Sequence, residues 1–282
     1  MIYLNGQWVS LAEASIPVLD RGFLFGDGVY ELIPVYARKA FRMEEHLRRL
    51  QHSLDGIRLQ NPHSLAEWIQ LIEQLIASQT YDNQSIYMQV TRGVAPRDHA
   101  FPKGVAPTVL LMANPLYDPS REQIENGVSA ITGKDIRWGR CDLKTLNLLP
   151  NVLARQAAVE QGCVETVMFR DGILTEGAAS NIFVVKNGVI LAPQKDHRVL
   201  PGITYDVVLE LAAQNGMPAS VRDIAEAEVR SADELWLTSS SREVQAIVSL
   251  DDRPVGNGLP GPVYRRMYAL YQTFKRGLTG SA

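Results

Sequence analysis

The sequence predicts an α+β chain built as two domains. Three observations carry that expectation. Short β-rich runs closed by turn signals recur along the chain, so hairpins outnumber βαβ units. Amphipathic helical stretches stand among those strands in both halves, which points to mostly antiparallel or mixed sheets. The length of 282 residues, at roughly 100–200 residues per domain, suggests two domains, with one large α/β domain as the alternative. The stretch Pro115–Glu122, with two prolines among polar residues, marks the division. The expected domains are 1–116 and 124–282, joined by a linker at 117–123. No internal repeat is visible.

The elements follow in order. Tyr3-Leu4 and Trp8-Val9 flank Asn5-Gly6, the signature of a type I′ hairpin. Val29 to Tyr36 is extended, Ala37-Arg38-Lys39 turns, and Ala40-Phe41-Arg42 returns. Glu44 and Glu45 open a helix whose stripe is Leu47, Leu50 and Leu54. Gly56 is its expected stop. A second helix runs from about Ser64 to Ser78, and strands follow at Ser85–Thr91 and Pro107–Ala113. In the second half, Asn147 is the expected N-cap of a helix with Pro150 in its first turn. Hairpins come next at Val164–Thr175 and Asn181–Ala192. A helix opens at Gly202-Ile203-Thr204 and ends at Asn215-Gly216. Strands are expected at Glu234–Thr238 and Val244–Leu250, and a last helix from about Pro262 to Arg276.

Composition narrows the function. The net charge is −3, with 28 Lys+Arg against 31 Asp+Glu, so no basic field exists to attract a phosphate backbone. The apolar run Thr108 to Ala113 falls far short of the ~20 residues of a membrane span. Met1 to Gly6 shows no signal-peptide pattern, and Cys141 and Cys163 form no metal or disulfide spacing. A soluble, cytoplasmic protein is expected. There is no GxSxG, no HExxH and no Walker loop, and Gly26-Asp27-Gly28 lacks the third glycine of a dinucleotide fingerprint. Its plain reading is a tight turn between a loop and a strand.

The remaining candidates each have a bland explanation: most lysines are solvated, most Glu-Gly pairs are turns, and most helix-start threonines are caps. Of the 28 cationic residues only seven are lysines. Lys39 and Lys186 fall in hairpin turns, Lys103 and Lys195 in polar loops, Lys134 at a strand edge and Lys275 on the tail helix. Only Lys144 stands among apolar neighbours, in Asp142-Leu143-Lys144-Thr145-Leu146-Asn147. Glu176 lies in Thr175-Glu176-Gly177-Ala178-Ala179-Ser180-Asn181, and Gly202-Ile203-Thr204 and Ser239-Ser240-Ser241 offer helix N–H groups and hydroxyls suited to an anion. Together they meet the needs of pyridoxal 5′-phosphate: a Schiff-base lysine, an acid for the ring nitrogen and a phosphate cup.

On those residues, with Leu19-Asp20-Arg21-Gly22, Phe25 to Glu31, Thr91 to His99 and Leu200 to Thr204, the chain resembles the class IV (fold type IV) pyridoxal-phosphate aminotransferases, and among them the D-amino acid aminotransferases. The resemblance covers essentially the whole length. It implies a small N-terminal α/β sandwich-like domain, a larger C-terminal mixed-sheet barrel-like domain, and the cofactor at their interface. It further implies that Lys144 binds the cofactor and shuttles the proton. Glu176 would hold the pyridine nitrogen, with Ser180 and Leu200 beside the cofactor. Arg49, Ile203, Thr204, Ser239 and Ser240 would hold the phosphate. Tyr30, Arg97 and His99 match the family's trap for the substrate carboxylate, with Arg97 and His99 reaching in from the partner of a homodimer. Leu32 would narrow the pocket. Ala178 and Ala179 depart from the serines common after Glu-Gly in these enzymes, with consequences for substrate range.

The implied reaction is ping-pong transfer of an amino group from a D-amino acid such as D-alanine to 2-oxoglutarate. Aminodeoxychorismate lyase and the branched-chain L-amino acid transaminases of class IV share the lysine, and the pair Arg97 and His99 weighs against them; an (R)-amine transaminase is a further alternative that the sequence leaves open. A non-catalytic phosphate-ligand binding protein is the distant alternative.

Overall fold

The computed structural model describes residues 1–279, which form two compact units. One comprises Met1–Tyr117 together with Leu143–Asn147; the other takes in Asp118–Asp142 and the chain from Leu148 onward.

In the first unit β1 (Ile2–Leu4) and β2 (Gln7–Val9) form the expected hairpin. Asn5 and Gly6 have φ of 48° and 88°, as a type I′ turn requires. After the one-turn helix α1 (Arg21–Phe25) comes β3 (Gly28–Tyr36), which turns through Ala37 and Arg38 into β4 (Lys39–Ala40). Helices α2 (Met43–Gly56) and α3 (Leu65–Ser78) follow, then β5 (Gln84–Thr91) and β6 (Thr108–Pro115). Ser64 and Glu67 cap α3 reciprocally. The sheet is antiparallel, in the order β2-β1-β6-β5-β3-β4.

Val29, Ile33 and Val35 pack with Leu47, Leu50 and Leu54 of α2 and with Trp68 and Ile72 of α3 in one core. Side chains alternate across a strand. Glu31 therefore points to the helix side with Val29 and Ile33, and Tyr30 and Leu32 point to the opposite face. β5 pairs along β3 from Gly28 to Val35, and β4 covers the other edge only at Val35 and Tyr36. The open end of that edge takes Leu143–Asn147: Val29 bridges Thr145, Tyr30 N–H donates to Lys144 O, and Leu146 N–H donates to Gly28 O.

Gly56 is the last residue of α2, where the stop was expected, and the left-handed turn follows at Arg58, with φ of 55°. A Cβ at Gly56 would lie 2.4 Å from Leu143 Cδ2, so a larger residue there would force that side chain to shift. Gly26 follows a helical turn rather than a loop, and closes α1 in the left-handed region at φ 66°.

The second unit opens with α4 (Arg121–Asn126), capped by Ser120, whose first residues fall in the stretch 117–123 expected to be a linker. It continues with β7 (Val128–Lys134), α5 (Leu149–Glu160), β8 (Glu165–Arg170), β9 (Ile173–Gly177), β10 (Asn181–Lys186) and β11 (Val189–Ala192). Then come α6 (Ile203–Gln214), β12 (Ala219–Val221), α7 (Glu226–Arg230), β13 (Glu234–Ser239), β14 (Glu243–Leu250), β15 (Arg253–Pro254) and α8 (Pro262–Thr279). The mixed sheet runs β12-β11-β10-β13-β14-β7-β8-β9, with parallel joints at β11–β12, β14–β7 and β7–β8. β9 ends this order while β10 lies near its start. Only Ala178–Ser180 separate the two in the chain, so the sheet curls back on itself as a partial barrel. Its core includes Val167, Ile182, Val184, Leu235, Leu237 and Ile247.

The cap of α5 is corrected. Leu148, not Asn147, holds the N-cap position, and no side chain bonds there. Lys275, expected on an ordinary surface, is also corrected: it is largely covered and pairs with Glu243 and Asp118 at 2.7 and 2.8 Å.

Candidate active site

In the first unit the site grows from β3 and the segment laid beside it. Because Thr145 bridges Val29, Lys144 and Tyr30 share a face. Lys144 Nζ stands 4.1 Å from the centroid of the Tyr30 ring, a cation–π distance. The Lys144 backbone is fixed at both ends, its N–H donating to Ser53 Oγ at 3.0 Å and its carbonyl accepting from Tyr30. Tyr30 is flanked by Tyr87, with centroids 5.8 Å apart.

On the other face, Glu31 is fully buried. It accepts from Arg49 Nε at 2.7 Å, from Arg49 Nη2 at 2.9 Å and from the Leu32 N–H at 3.2 Å, and meets His46 Nδ1 at 2.8 Å. Arg49 and His46 reach it together because they sit three residues apart on α2. Burial alone would raise the Glu31 carboxyl. The charge and hydrogen bonds of Arg49, with those of His46, outweigh it and hold the group well below the usual carboxylate range. His46 moves down as well: burial disfavours the imidazolium more than Glu31 favours it. A neutral His46 donates from Nδ1, and its buried Nε2 has no hydrogen-bond partner among the described residues.

Arg97 and His99 are exposed on the loop after β5 and flank the Phe25 ring, the guanidinium at 5.2 Å and the imidazole at 5.5 Å. Leu32 is half-buried on the same face of β3 as Tyr30.

In the second unit Glu176 lies near the end of β9 and is 5% exposed. It accepts from Asn181 Nδ2 at 3.0 Å, from the Leu200 N–H at 3.2 Å and from Arg137 Nη1. Burial pushes the Glu176 carboxyl up, against the pull of Arg137. Arg137 is clasped in turn by Asp135 at 2.9 and 2.8 Å and donates to Arg198 O. Asn181 also donates to Leu200 O, and a Cβ on Gly202 would lie 1.9 Å from its Oδ1. Only glycine lets α6 start this close to Asn181.

Ile203 and Thr204 begin α6 and are 7% and 3% exposed, yet no side chain caps the helix. A buried helix start whose first N–H groups lack a cap is a ready anion site. Ser239 and Ser240 stand half-buried at the end of β13; the Ser239 hydroxyl accepts from Arg242 N–H. Ser180 donates its hydroxyl to Glu165 at 2.7 Å. Ala178 is buried and Ala179 exposed.

The structure thus brings Lys144, Tyr30 and Leu32 together, and separately Glu176, Leu200, Ile203 and Thr204. It places Arg49 against Glu31 and Ser180 against Glu165. Glu31, His46, Arg137 and Asn181 have no role in the reading from sequence. Glu31 carries a signal, an acid on the inward register of an apolar strand, and His46 shares a helix face with Arg49. Arg137 carries little: Asp135 stands two residues before it, but Glu176 and Arg198 come from distant segments.

A family model described as amino-transferase class IV matches residues 28–250. A D-alanine aminotransferase of Staphylococcus aureus (strain MW2) is 38% identical, covering 97% of each chain. One from Bacillus licheniformis is 38% identical over 96% of this chain and 95% of its own length. Among solved structures, the branched-chain amino acid aminotransferase of Escherichia coli superposes with a TM-score of 0.91 at 27% identity, covering 100% of this chain and 95% of that one. A second branched-chain amino acid aminotransferase, from T.th. and solved with pyridoxamine 5′-phosphate, gives 0.91 at 27% identity, covering 100% and 94%. The fold is that of the fold type IV enzymes, and the chain belongs to the class IV aminotransferases.

Proposed function

We propose that this aminotransferase uses pyridoxal 5′-phosphate to move the amino group of a D-amino acid, D-alanine in type, to 2-oxoglutarate by a ping-pong mechanism. The observation that carries the reading is Lys144 Nζ set over the Tyr30 ring, which puts the acid–base atom beside a side chain expected to take the substrate carboxylate. The relatives named D-alanine aminotransferase support the choice of substrate.

The residues fit the cofactor. The uncapped, buried start of α6 offers N–H groups of Ile203 and Thr204 to a phosphate, with Ser239, Ser240 and Arg49 as further donors. Glu31 grips Arg49 through Nε and Nη2 and so sets the plane of its guanidinium. The buried Glu176 would hold the pyridine nitrogen of the cofactor and keep it protonated. Leu200 and Ser180 line this side. When bound, pyridoxal phosphate supplies an electron-accepting ring that spreads the charge left as the α C–H bond breaks. Lys144 Nζ takes the α proton and returns it. Tyr30, Arg97 and His99 hold the carboxylate on one side of the reacting carbon, which fixes the face presented and hence the D preference. Leu32 limits side-chain size.

The enzyme acts as a homodimer in the cytoplasm, with Arg97 and His99 serving the partner's site. In support, both are exposed, and so are the apolar side chains of Leu11, Val18 and Phe23 in the first unit and Leu149, Val152 and Leu153 on α5 in the second. No helix among the described residues is long and apolar enough to cross a membrane. Incubation with D-alanine and 2-oxoglutarate yields pyruvate on this reading; pyruvate from L-alanine alone would overturn the stereochemical assignment.

A further inference from the structure

The sequence motif Gly26-Asp27-Gly28 reads as a tight turn, yet its acid does more than turn the chain. Asp27 accepts from two nearly buried arginines, Arg21 through Nε at 2.8 Å and Arg92 through Nε at 2.8 Å and Nη2 at 3.0 Å. Arg21 is 3% exposed and Arg92 6%. Each arginine spends its remaining donors on backbone carbonyls. Arg21 Nη1 reaches Asp98 O and Ala100 O, and Nη2 reaches His99 O. Arg92 donates to Ile57 O at 2.8 Å and Arg58 O at 3.1 Å, and its guanidinium covers the Phe101 ring at 3.7 Å. The Arg21 guanidinium also lies 4.8 Å from the Phe25 ring, against which Arg97 and His99 rest.

One carboxylate thus orients two rigid forks, and those forks grip the loop 97–101 along its backbone and at its far end. That loop is exposed and has no regular secondary structure, so little else sets its path. Gly26, left-handed at φ 66°, delivers Asp27 to the point between the two arginines.

We propose that Asp27 is a positioning residue for the substrate-carboxylate trap, acting through Arg21 and Arg92 on the loop of Arg97 and His99. This rests on the reading above, in which that loop serves the partner's site. Asp27 of one subunit then governs substrate binding in the other.

The test uses whole dimers. Asp27→Asn should raise KM for both D-alanine and 2-oxoglutarate about tenfold while kcat changes by less than about threefold, the size expected from loosening one charge-assisted hydrogen bond. Hydrogen exchange of the 97–101 peptide should speed up. Arg21→Lys, which keeps a cation beside Asp27 but loses the fork, should show the same KM change and carries the test if Asp27→Asn does not fold. In dimers mixed from Asp27→Asn and Lys144→Ala chains, one site pairs an intact Lys144 with an intact partner loop. Its kcat/KM should rise to about half the wild-type value per dimer, well above either parent. Mixed dimers no better than the Asp27→Asn parent, or an unchanged KM with unchanged exchange, overturn the inference. Wild-type dimers that make no pyruvate from D-alanine would instead overturn the functional reading itself.

Discussion

Replacing Glu31 by Gln keeps the shape of a fully buried side chain and removes its charge. Four donors converge on the native carboxylate: two from Arg49, one from His46 and the Leu32 N–H. A glutamine accepts through one oxygen only, so its amide nitrogen faces donors whichever way it turns. Arg49, whose side chain is 7% exposed, loses the counter-charge of Glu31. Breaking a buried pair from one side costs about 3–5 kcal/mol. At roughly 2–4 °C per kcal/mol for a chain of this size, the Tm should fall by about 6–20 °C. Thermal unfolding followed by circular dichroism, without added cofactor, reads this directly. Converting Arg49 to Met in the same chain removes the buried cation as well, so the double variant should recover about 1–3 kcal/mol over the sum of the singles. The sign with pH is also set. A carboxyl held below its ordinary value contributes stability above about pH 4.5 that is lost as pH falls through the folded value, so the gap between wild type and Glu31→Gln narrows in acid. A Tm drop below about 2 °C, or strict additivity in the double variant, would refute the role given to this cluster.

His46 is buried with its pKa below the ordinary 6.5, so the unfolded chain takes up a proton there that the folded chain refuses. Stability should fall as pH drops below 6.5, by at most about 1.4 kcal/mol per pH unit for one proton, and His46→Gln should flatten that slope; equal slopes would contradict it. Lys275→Met removes the cation from Glu243, a non-glycine residue held at φ 57° shortly after the serine cluster. Denaturant unfolding should show a loss of about 2–3 kcal/mol, and a loss under about 0.5 would mean the ion pair carries nothing. Arg137→Met leaves Asp135 and Glu176 without their shared cation. Pyridoxal 5′-phosphate affinity, read by equilibrium dialysis, should weaken by about tenfold or more, by the cost of an unpaired buried carboxylate; unaltered affinity would argue against Glu176 as the ring-nitrogen acceptor.

Local signals made most of the fold legible. Asn5-Gly6, Asp171-Gly172 and Asn187-Gly188 all adopt the positive φ values that their residue types favour, and each closes a hairpin. The stripe of α2 and the extent of α3 were equally readable. Short elements were not: α1 and α4 span too few residues to show a period, and Ser129, Thr132 and Gly133 dilute the pattern of β7. Asn147 has the chemistry of a cap, yet Leu148 occupies the cap position, because Leu143–Asn147 is drawn beside β3 first. Among the candidate site residues, those in contiguous motifs stood out. Arg137 did not, because its local pairing with Asp135 is an ordinary one and Glu176 and Arg198 meet it only once the chain folds.

Protein supplied with pyridoxal 5′-phosphate should release pyruvate from D-alanine and 2-oxoglutarate. L-alanine should give none, and borohydride reduction should leave the cofactor's added mass on the peptide that contains Lys144. Activity that survives Lys144→Ala, or pyruvate formed from L-alanine and not from D-alanine, would contradict the account.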